Sequence, residues 1–156
     1  MHKEVSVFIP VSKTVNELSD STKSSFLNGA SIEFGVIGWR KLWVVKDDTG
    51  LVKGHVDLRH HNDITLSNRV LLGMGVDSSY RKKGVGKALI DIALNYSREN
   101  KLIDYLDLSV LSTNIPATKL YVKSGFTVED EDYLTHSIDG ESITEKSMTI
   151  SVKNHV

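Results

Sequence analysis

Arg81-Lys82-Lys83-Gly84-Val85-Gly86-Lys87-Ala88 is the stretch on which the fold of this chain turns. It follows an apolar run, Val70 to Val76, and a short loop, Asp77-Ser78-Ser79-Tyr80. It opens a segment in which Val85, Leu89, Ile92 and Tyr96 lie four, three and four residues apart, the spacing of one helical face. The spacing predicts strand, loop and a long helix ending near Asn100. The first turn of a helix presents unpaired N–H groups and the positive end of the helix dipole, which suit a phosphate. Gly84 and Gly86 lack a Cβ, so a phosphate can approach the backbone closely. Arg81, Lys82, Lys83 and Lys87 add positive charge. A basic cluster alone is more often a solvated surface; with two glycines beside it, the segment reads as a di- or triphosphate site.

Two common phosphate motifs fail here. A P-loop carries glycine six residues before its lysine and Ser or Thr after it, whereas Arg81 and Ala88 hold those positions. The dinucleotide fingerprint wants a small residue where Leu89 stands, and it follows the first strand of its domain. Arg-x-x-Gly-x-Gly between a strand and a helix is the pattern that remains.

Upstream, Val70 to Val76 is interrupted by Gly73 and Gly75. Glycine inside a strand marks a bulge, relief of crowding, or a close approach, and the phosphate loop that follows favours approach by a cofactor. Earlier still, Trp39 to Lys46 and Leu51 to Arg59 flank the turn signal Asp48-Thr49-Gly50 and read as a hairpin. In its second strand Val52, Gly54, Val56 and Leu58 share one face. Lys53, His55, Asp57 and Arg59 share the other, which faces water or a cleft. Trp39 and Trp43 read as core or pocket wall. His60 to Asn68 is polar and loop-like. Val5 to Ile9 reads as a first strand, and about Asn16 to Asn28 as a helix stopped by Gly29. Downstream, Tyr105 to Leu111 is a fifth strand. Asn114 is an N-cap for a short helix with Pro116 in its first turn, ended by Gly125. Phe126 to Asp132 and Thr144 to Val152 are further strands. The plan is mixed α/β around one central sheet.

The 156 residues suit one domain, taken as 1–156, large enough to bury a core without staples. Nineteen Lys plus Arg against 20 Asp plus Glu give a net charge of −1, which argues against a nucleic-acid or membrane-surface binder. Cysteine is absent, so disulfides, thiolate metal sites and thiol nucleophiles are excluded. No apolar run approaches the ~20 residues of a membrane span, and the N-terminus lacks a signal-peptide core. A cytoplasmic enzyme or binding domain is expected.

The chain resembles the GCN5-related N-acetyltransferase (GNAT) family. Gly73-Met74-Gly75-Val76, followed by Asp77 to Tyr80 and Arg81 to Gly86, looks like that family's central strand and pyrophosphate loop. Asn114, Ala117 and Leu120-Tyr121-Val122-Lys123-Ser124-Gly125-Phe126 look like its second hallmark, in the right order. The resemblance implies an acyl-CoA N-acyltransferase fold: a mixed, mostly antiparallel sheet flanked by helices and splayed at its fourth and fifth strands. Acetyl-CoA would lie in the splay as co-substrate. Its pantetheine arm would pair with the backbone of Met74, Gly75 and Val76, and its pyrophosphate would sit on the segment Arg81, Lys82, Lys83, Gly84, Val85, Gly86 and Lys87. Asn114 would add a cofactor contact to its capping role. Tyr121, otherwise a half-buried core residue, would protonate the leaving thiolate. The partners implied are an amine acceptor, small molecule or protein, and a homodimer mate.

Many relatives place a carboxylate on the fourth strand, and Leu71 to Val76 holds none. Asp57 is the candidate general base, with His55, His60 and His61 as alternatives on the same polar face or the loop after it. These four lack any metal-ligand spacing, and no metal is expected. The expected activity is N-acetylation of a primary amine by direct attack. The rivals are a non-catalytic acyl-CoA sensor and a nucleotide-binding domain of another fold.

Overall fold

The computed structural model describes residues 31–81, 84–138 and 140–153. The expected first strand at Val5 to Ile9, the helix at Asn16 to Asn28, and Lys82 and Lys83 lie outside the described residues. The hairpin forms as read. Strands β1 (Arg40–Lys46) and β2 (Val52–His60) pair antiparallel, with Trp43 opposite Val56. Asp47 makes the turn: its Oδ1 accepts from Thr49 N at 2.9 Å, Thr49 Oγ1 at 2.6 Å and Leu51 N at 3.0 Å. β3 (Arg69–Val76) pairs antiparallel with β2. Helix α1 (Val85–Glu99) follows, then β4 (Tyr105–Leu111), helix α2 (Ile115–Lys123), and the hairpin of β5 (Thr127–Ile138) and β6 (Glu141–Ser151). The last two strands begin or end beyond their expected limits. Ile138 pairs with Glu141 at their join, where Gly140 has φ 79°.

The sheet order is β1-β2-β3-β4-β6-β5. Neighbours are antiparallel except β3 and β4, which run parallel and pair only through Arg69–Leu71 against Tyr105–Asp107. From Leu72 to Val76, β3 leaves β4, so the two strands open into a V. These are the fourth and fifth strands of the sequence plan, and the splay lies between them as expected.

Ion pairs pin the closed end of the V. Arg69 reaches Asp107 through Nε at 2.8 Å and Nη2 at 2.7 Å, and stacks 4.3 Å from the Tyr105 ring centre. Asp107 Oδ2 also lies 2.9 Å from His61 Nε2, and Oδ1 accepts from Thr149 Oγ1 at 2.7 Å. Burial pushes the Asp107 carboxyl up, but the bonds from Arg69 and Thr149, the Arg69 charge and the His61 contact bring it below its ordinary value.

Both helices cover one face of the sheet. Leu89, Ile90, Ala93 and Leu94 of α1 pack on Val56, Leu58, Val70 and Leu72, and Tyr121 of α2 joins Leu108, Phe126 and Met148 in the same core. A Cβ on Gly54 would lie 3.2 Å from Val85 Cγ1 and 3.3 Å from Leu89 Cδ1, so glycine there lets α1 seat on β2. Trp39 and Trp43 are buried, as core. On the opposite face the cross-strand register lines up Arg40, Arg59, Leu71, Asp107 and Thr149, and beside them Leu42, Asp57 and Gly73. No helix among the described residues is long and apolar enough to cross a membrane.

Candidate active site

The V between β3 and β4 opens a cleft of about 940 Å³. Three elements converge on it. β3 supplies Leu71 to Val76, α1 presents its N-terminus, and α2 presents Asn114, Ala117, Leu120 and Tyr121. β3 makes no ladder bonds to β4 beyond Leu71, so Leu72 to Val76 offer a free backbone edge to the cleft. An extended chain can add to such an edge as a strand would. Five strand steps at about 3.3 Å each run roughly 17 Å from Val76 to Leu71, the reach of a pantetheine arm.

At the outer end of that edge stands the N-terminus of α1. Its N-cap is Gly84 at φ 77°, ψ 6°, a left-handed conformation that L side chains rarely adopt. No side chain caps this end, and no acidic residue stands in its first turn. The first intrahelical bond runs from Ala88 N to Gly84 O at 3.1 Å, which leaves the amides of Val85, Gly86 and Lys87 without helical partners. A phosphate fits such a terminus, and Gly84, Val85, Gly86, Lys87 and Arg81 all line the cleft. Gly86 has a second reason to be glycine: its Cβ would lie 2.9 Å from Leu120 Cδ2, where α1 meets α2. Lys87 is partly engaged already, because Nζ pairs with Asp91 at 2.9 Å.

Asn114 caps α2 as expected, its Oδ1 accepting from Ala117 N at 3.2 Å. It is exposed at the rim of the cleft. Tyr121 is buried, with its ring edge-on to Phe126 at 5.8 Å between centres. Its hydroxyl makes no hydrogen bond to the described residues, and the side chain lines the cleft. Burial pushes its phenol above its ordinary value, so it is protonated at neutral pH. A protonated hydroxyl without a fixed partner can donate a proton.

Gly73 and Gly75, expected to let a cofactor approach, also relieve crowding. A Cβ on Gly73 would lie 2.7 Å from Asp57 Oδ1, and one on Gly75 would lie 2.7 Å from His55 Cε1. The side chains of β2 fill that space, and relief of crowding is what the two glycines provide. That space is taken by Asp57 and His55. Both belong to the polar face of β2, yet both are buried, 5% and 8% exposed, rather than solvated. Burial raises the Asp57 carboxyl, opposed by the charges of Arg59 and Arg40. Burial first, and Arg59 second, push His55 down to about 4, so its ring is neutral at pH 7. His55 Nε2 lies 3.8 Å from Asp57 Oδ1. His55 Nδ1 and Asp57 Oδ2 are buried without hydrogen bonds to the described residues.

His60 and His61 part from this pair. His60 meets its neighbour's backbone and His61 joins Asp107 at the closed end of the V. No group of three potential metal ligands occurs among the described residues. Arg59 is the cleft residue that sequence reasoning passed over. Strand alternation had placed it beside Asp57, and that alternation was the available signal.

The profile of the acetyltransferase (GNAT) family matches residues 13–126. The chain belongs to that family. It is 31% identical over 80 residues to the L-amino acid N-acetyltransferase AaaT of Escherichia coli K12, a match spanning 51% of this chain and 49% of that protein. It therefore matches about half the length of that curated relative. Among solved structures it is similar to a GNAT-family acetyltransferase from Streptococcus pneumoniae, with TM-score 0.72 and 21% identity, over 86% of this chain and 78% of that one. It is also similar to YncA of Salmonella typhimurium, named as an acetyltransferase and solved with its cofactor acetyl-CoA. That likeness has TM-score 0.66 and 18% identity, over 75% and 67% of the two chains. At those identities the two structures speak for the fold.

Proposed function

We propose that the protein is an acetyl-CoA-dependent N-acetyltransferase that acylates a primary amine by direct attack. The observation that carries this reading is the uncapped, glycine-led N-terminus of α1 at the end of a free strand edge, with Tyr121 across the cleft. Acetyl-CoA supplies the thioester. The amides of Val85, Gly86 and Lys87, with Arg81 beside them, bind its pyrophosphate, and the edge of Met74, Gly75 and Val76 takes the pantetheine arm. Lys82 and Lys83 add charge to the same loop, and Asn114 contacts the cofactor from the rim.

Asp57 is the general base. An amine near pKa 10 is mostly ammonium at neutral pH and must lose a proton before it attacks. Burial strengthens a carboxylate as a base, and the missing side chain of Gly73 lets Asp57 Oδ1 pack against the strand that edges the cleft. A backbone N–H of β3 near Val76 stabilises the charge developing on the thioester oxygen. As the C–N bond forms and the C–S bond breaks, Tyr121 gives its proton to the thiolate. The amine nitrogen releases its second proton, and Tyr121 is reprotonated from solvent. The chain has no cysteine to carry an acyl group, which agrees with direct attack.

The test is a panel of amine acceptors with acetyl-CoA, reading free thiol and the acetylated product. Turnover with at least one amine is expected. Tight acetyl-CoA binding without turnover on any amine would make the protein an acyl-CoA sensor instead.

A further inference from the structure

Among the described residues that line the cleft the charges are all of one sign: Arg59, Arg81 and Lys87 are cationic, and none is Asp, Glu or His. Arg81 and Lys87 stand at the open end of α1, where a pyrophosphate accounts for them. Arg59 stands at the other end. It pairs with Leu71 in the β2–β3 ladder, where β3 parts from β4, and its Nη2 lies 3.4 Å from the position of a Cβ on Gly73. It belongs to the sheet face opposite the helices, so it reaches the cleft from the side away from Tyr121. Its side chain is 41% exposed. Asp57 is near, with Oδ2 3.3 Å from Arg59 Nε, but neither atom makes a hydrogen bond within the described residues. An arginine whose task was to neutralise Asp57 would bond to it; this one keeps its donors for something else.

A pantetheine arm that starts at the open end of α1 and runs down the strand edge from Val76 carries its sulfur toward Leu71, roughly 17 Å on. Whatever hangs on that sulfur ends beside Arg59, and a methyl group offers a guanidinium nothing. The geometry points to a second class of donor: an acyl-CoA whose short chain, one or two methylenes long, ends in a carboxylate that Arg59 holds. The planar guanidinium fork matches a carboxylate. Asp57 lies on its Nε side, which leaves the two Nη nitrogens to the donor. The strand edge and the α1 terminus fix where the acyl carbon arrives, and that is why the carboxylate belongs to the donor and not to the amine. The chemistry is that of acetyl transfer. The amine nitrogen bonds to the thioester carbonyl carbon, the C–S bond breaks, and coenzyme A leaves as the thiol. The distal carboxylate takes no part, so the product is an amide that ends in a carboxylate. The inference rests on the acetyl-transfer reading and widens its donor.

The experiment uses the full chain and donors matched in shape: malonyl-CoA against isovaleryl-CoA, and succinyl-CoA against isocaproyl-CoA, in which an isopropyl group replaces the carboxylate. Calorimetry gives Kd for each donor without an acceptor. Kinetics with the amine best used with acetyl-CoA read the acylated product, because succinyl-CoA releases thiol unaided. In at least one pair the charged donor should bind, and in kcat/KM react, roughly ten- to a hundredfold better than its neutral match. Arg59→Gln should bring that ratio toward one. Arg59→Lys, which keeps the charge but loses the fork, should restore part of it, and melts of both variants report whether they fold. Neutral donors that equal the charged ones overturn the inference while acetyl transfer stands, and this comparison needs no variant. A ratio unchanged in folded Arg59→Gln overturns it too, as does an effect confined to KM for the amine, which would give Arg59 to the acceptor. A protein that neither binds acetyl-CoA nor acylates any amine overturns the acetyl-transfer reading, and the donor class with it.

Discussion

Two helices point their N-termini into one cleft and treat their unpaired amides in opposite ways. At α2, Asn114 accepts from Ala117 N and Pro116 removes an amide that would otherwise lack a partner. At α1, the cap is a glycine with no side-chain bond and no acid in the first turn. A side-chain cap contributes about 1 kcal/mol to a helix, so α1 forgoes stability that α2 keeps. The capped end stabilises the fold; the open end is available to an anion from outside the chain. The same division runs through the glycines. Gly73 and Gly75 yield space to side chains of β2, whereas Gly84 answers to its own backbone and has open space around it.

The largest effect that can break this contrast comes from closing the open end. Gly86→Asp puts a negative charge where the pyrophosphate must sit, and acetyl-CoA binding should become undetectable by calorimetry. The new Cβ also displaces the tip of Leu120, so the ligand-free melt should fall modestly. Gly86→Ala makes the same intrusion without the charge and should bind far better than the aspartate variant. Equal affinities in the two would show that packing, not charge, governs the site.

Next is Tyr121→Phe, on the capped helix. Turnover should fall by roughly 10²–10⁴-fold, with acetyl-CoA affinity nearly unchanged, because the lost bond forms only as the thiolate develops. Thiols ionise near pKa 8.5, which favours the low end of that range. Near-normal turnover at saturation would remove the hydroxyl from the chemistry.

A third effect lies on the strand face below the cleft. His55 titrates at about 4 in the fold against 6.5 unfolded. Above pH 6.5 both states hold it neutral. As pH falls from 6.5 to 4 the unfolded chain takes up the proton and the folded chain does not, so stability drops, by roughly 3 kcal/mol in all. Denaturant melts across that window should show the drop for the native chain and a flatter profile for His55→Gln. Parallel profiles would mean that His55 is not held neutral by the fold. The smallest effect belongs to the cap of α2. Asn114→Ala should lower stability by about 1 kcal/mol in a urea melt and weaken acetyl-CoA binding only a few-fold. A collapse of affinity would make Asn114 chiefly a ligand contact.

Much of this was legible in the sequence because it depends on local geometry. The hairpin at Asp48-Thr49-Gly50, the 3.6-residue period of α1, and the cap and stop of α2 are set by residues within a few positions of one another. Strand alternation also placed His55, Asp57 and Arg59 on one face. What alternation cannot say is whether a polar face is wet, because that depends on which strand lies alongside and what its residues lack. Here the expected surface is a buried pair, His55 and Asp57, beside two glycines of β3. The crowding at Gly73 and Gly75 is long-range in the same way, since it comes from side chains on another strand. Likewise, Leu120 against Gly86 joins two helices that only the folded chain brings together.

The central claim is that the open end of α1 takes the pyrophosphate of coenzyme A. Thermal melts with acetyl-CoA, ATP and NAD at equal concentration test it most directly. A ligand present at 100 times its Kd should add about 2.7 kcal/mol of stability. A clear rise in Tm with acetyl-CoA, exceeding that with either nucleotide, is the predicted result. A rise with ATP or NAD and none with acetyl-CoA would contradict it.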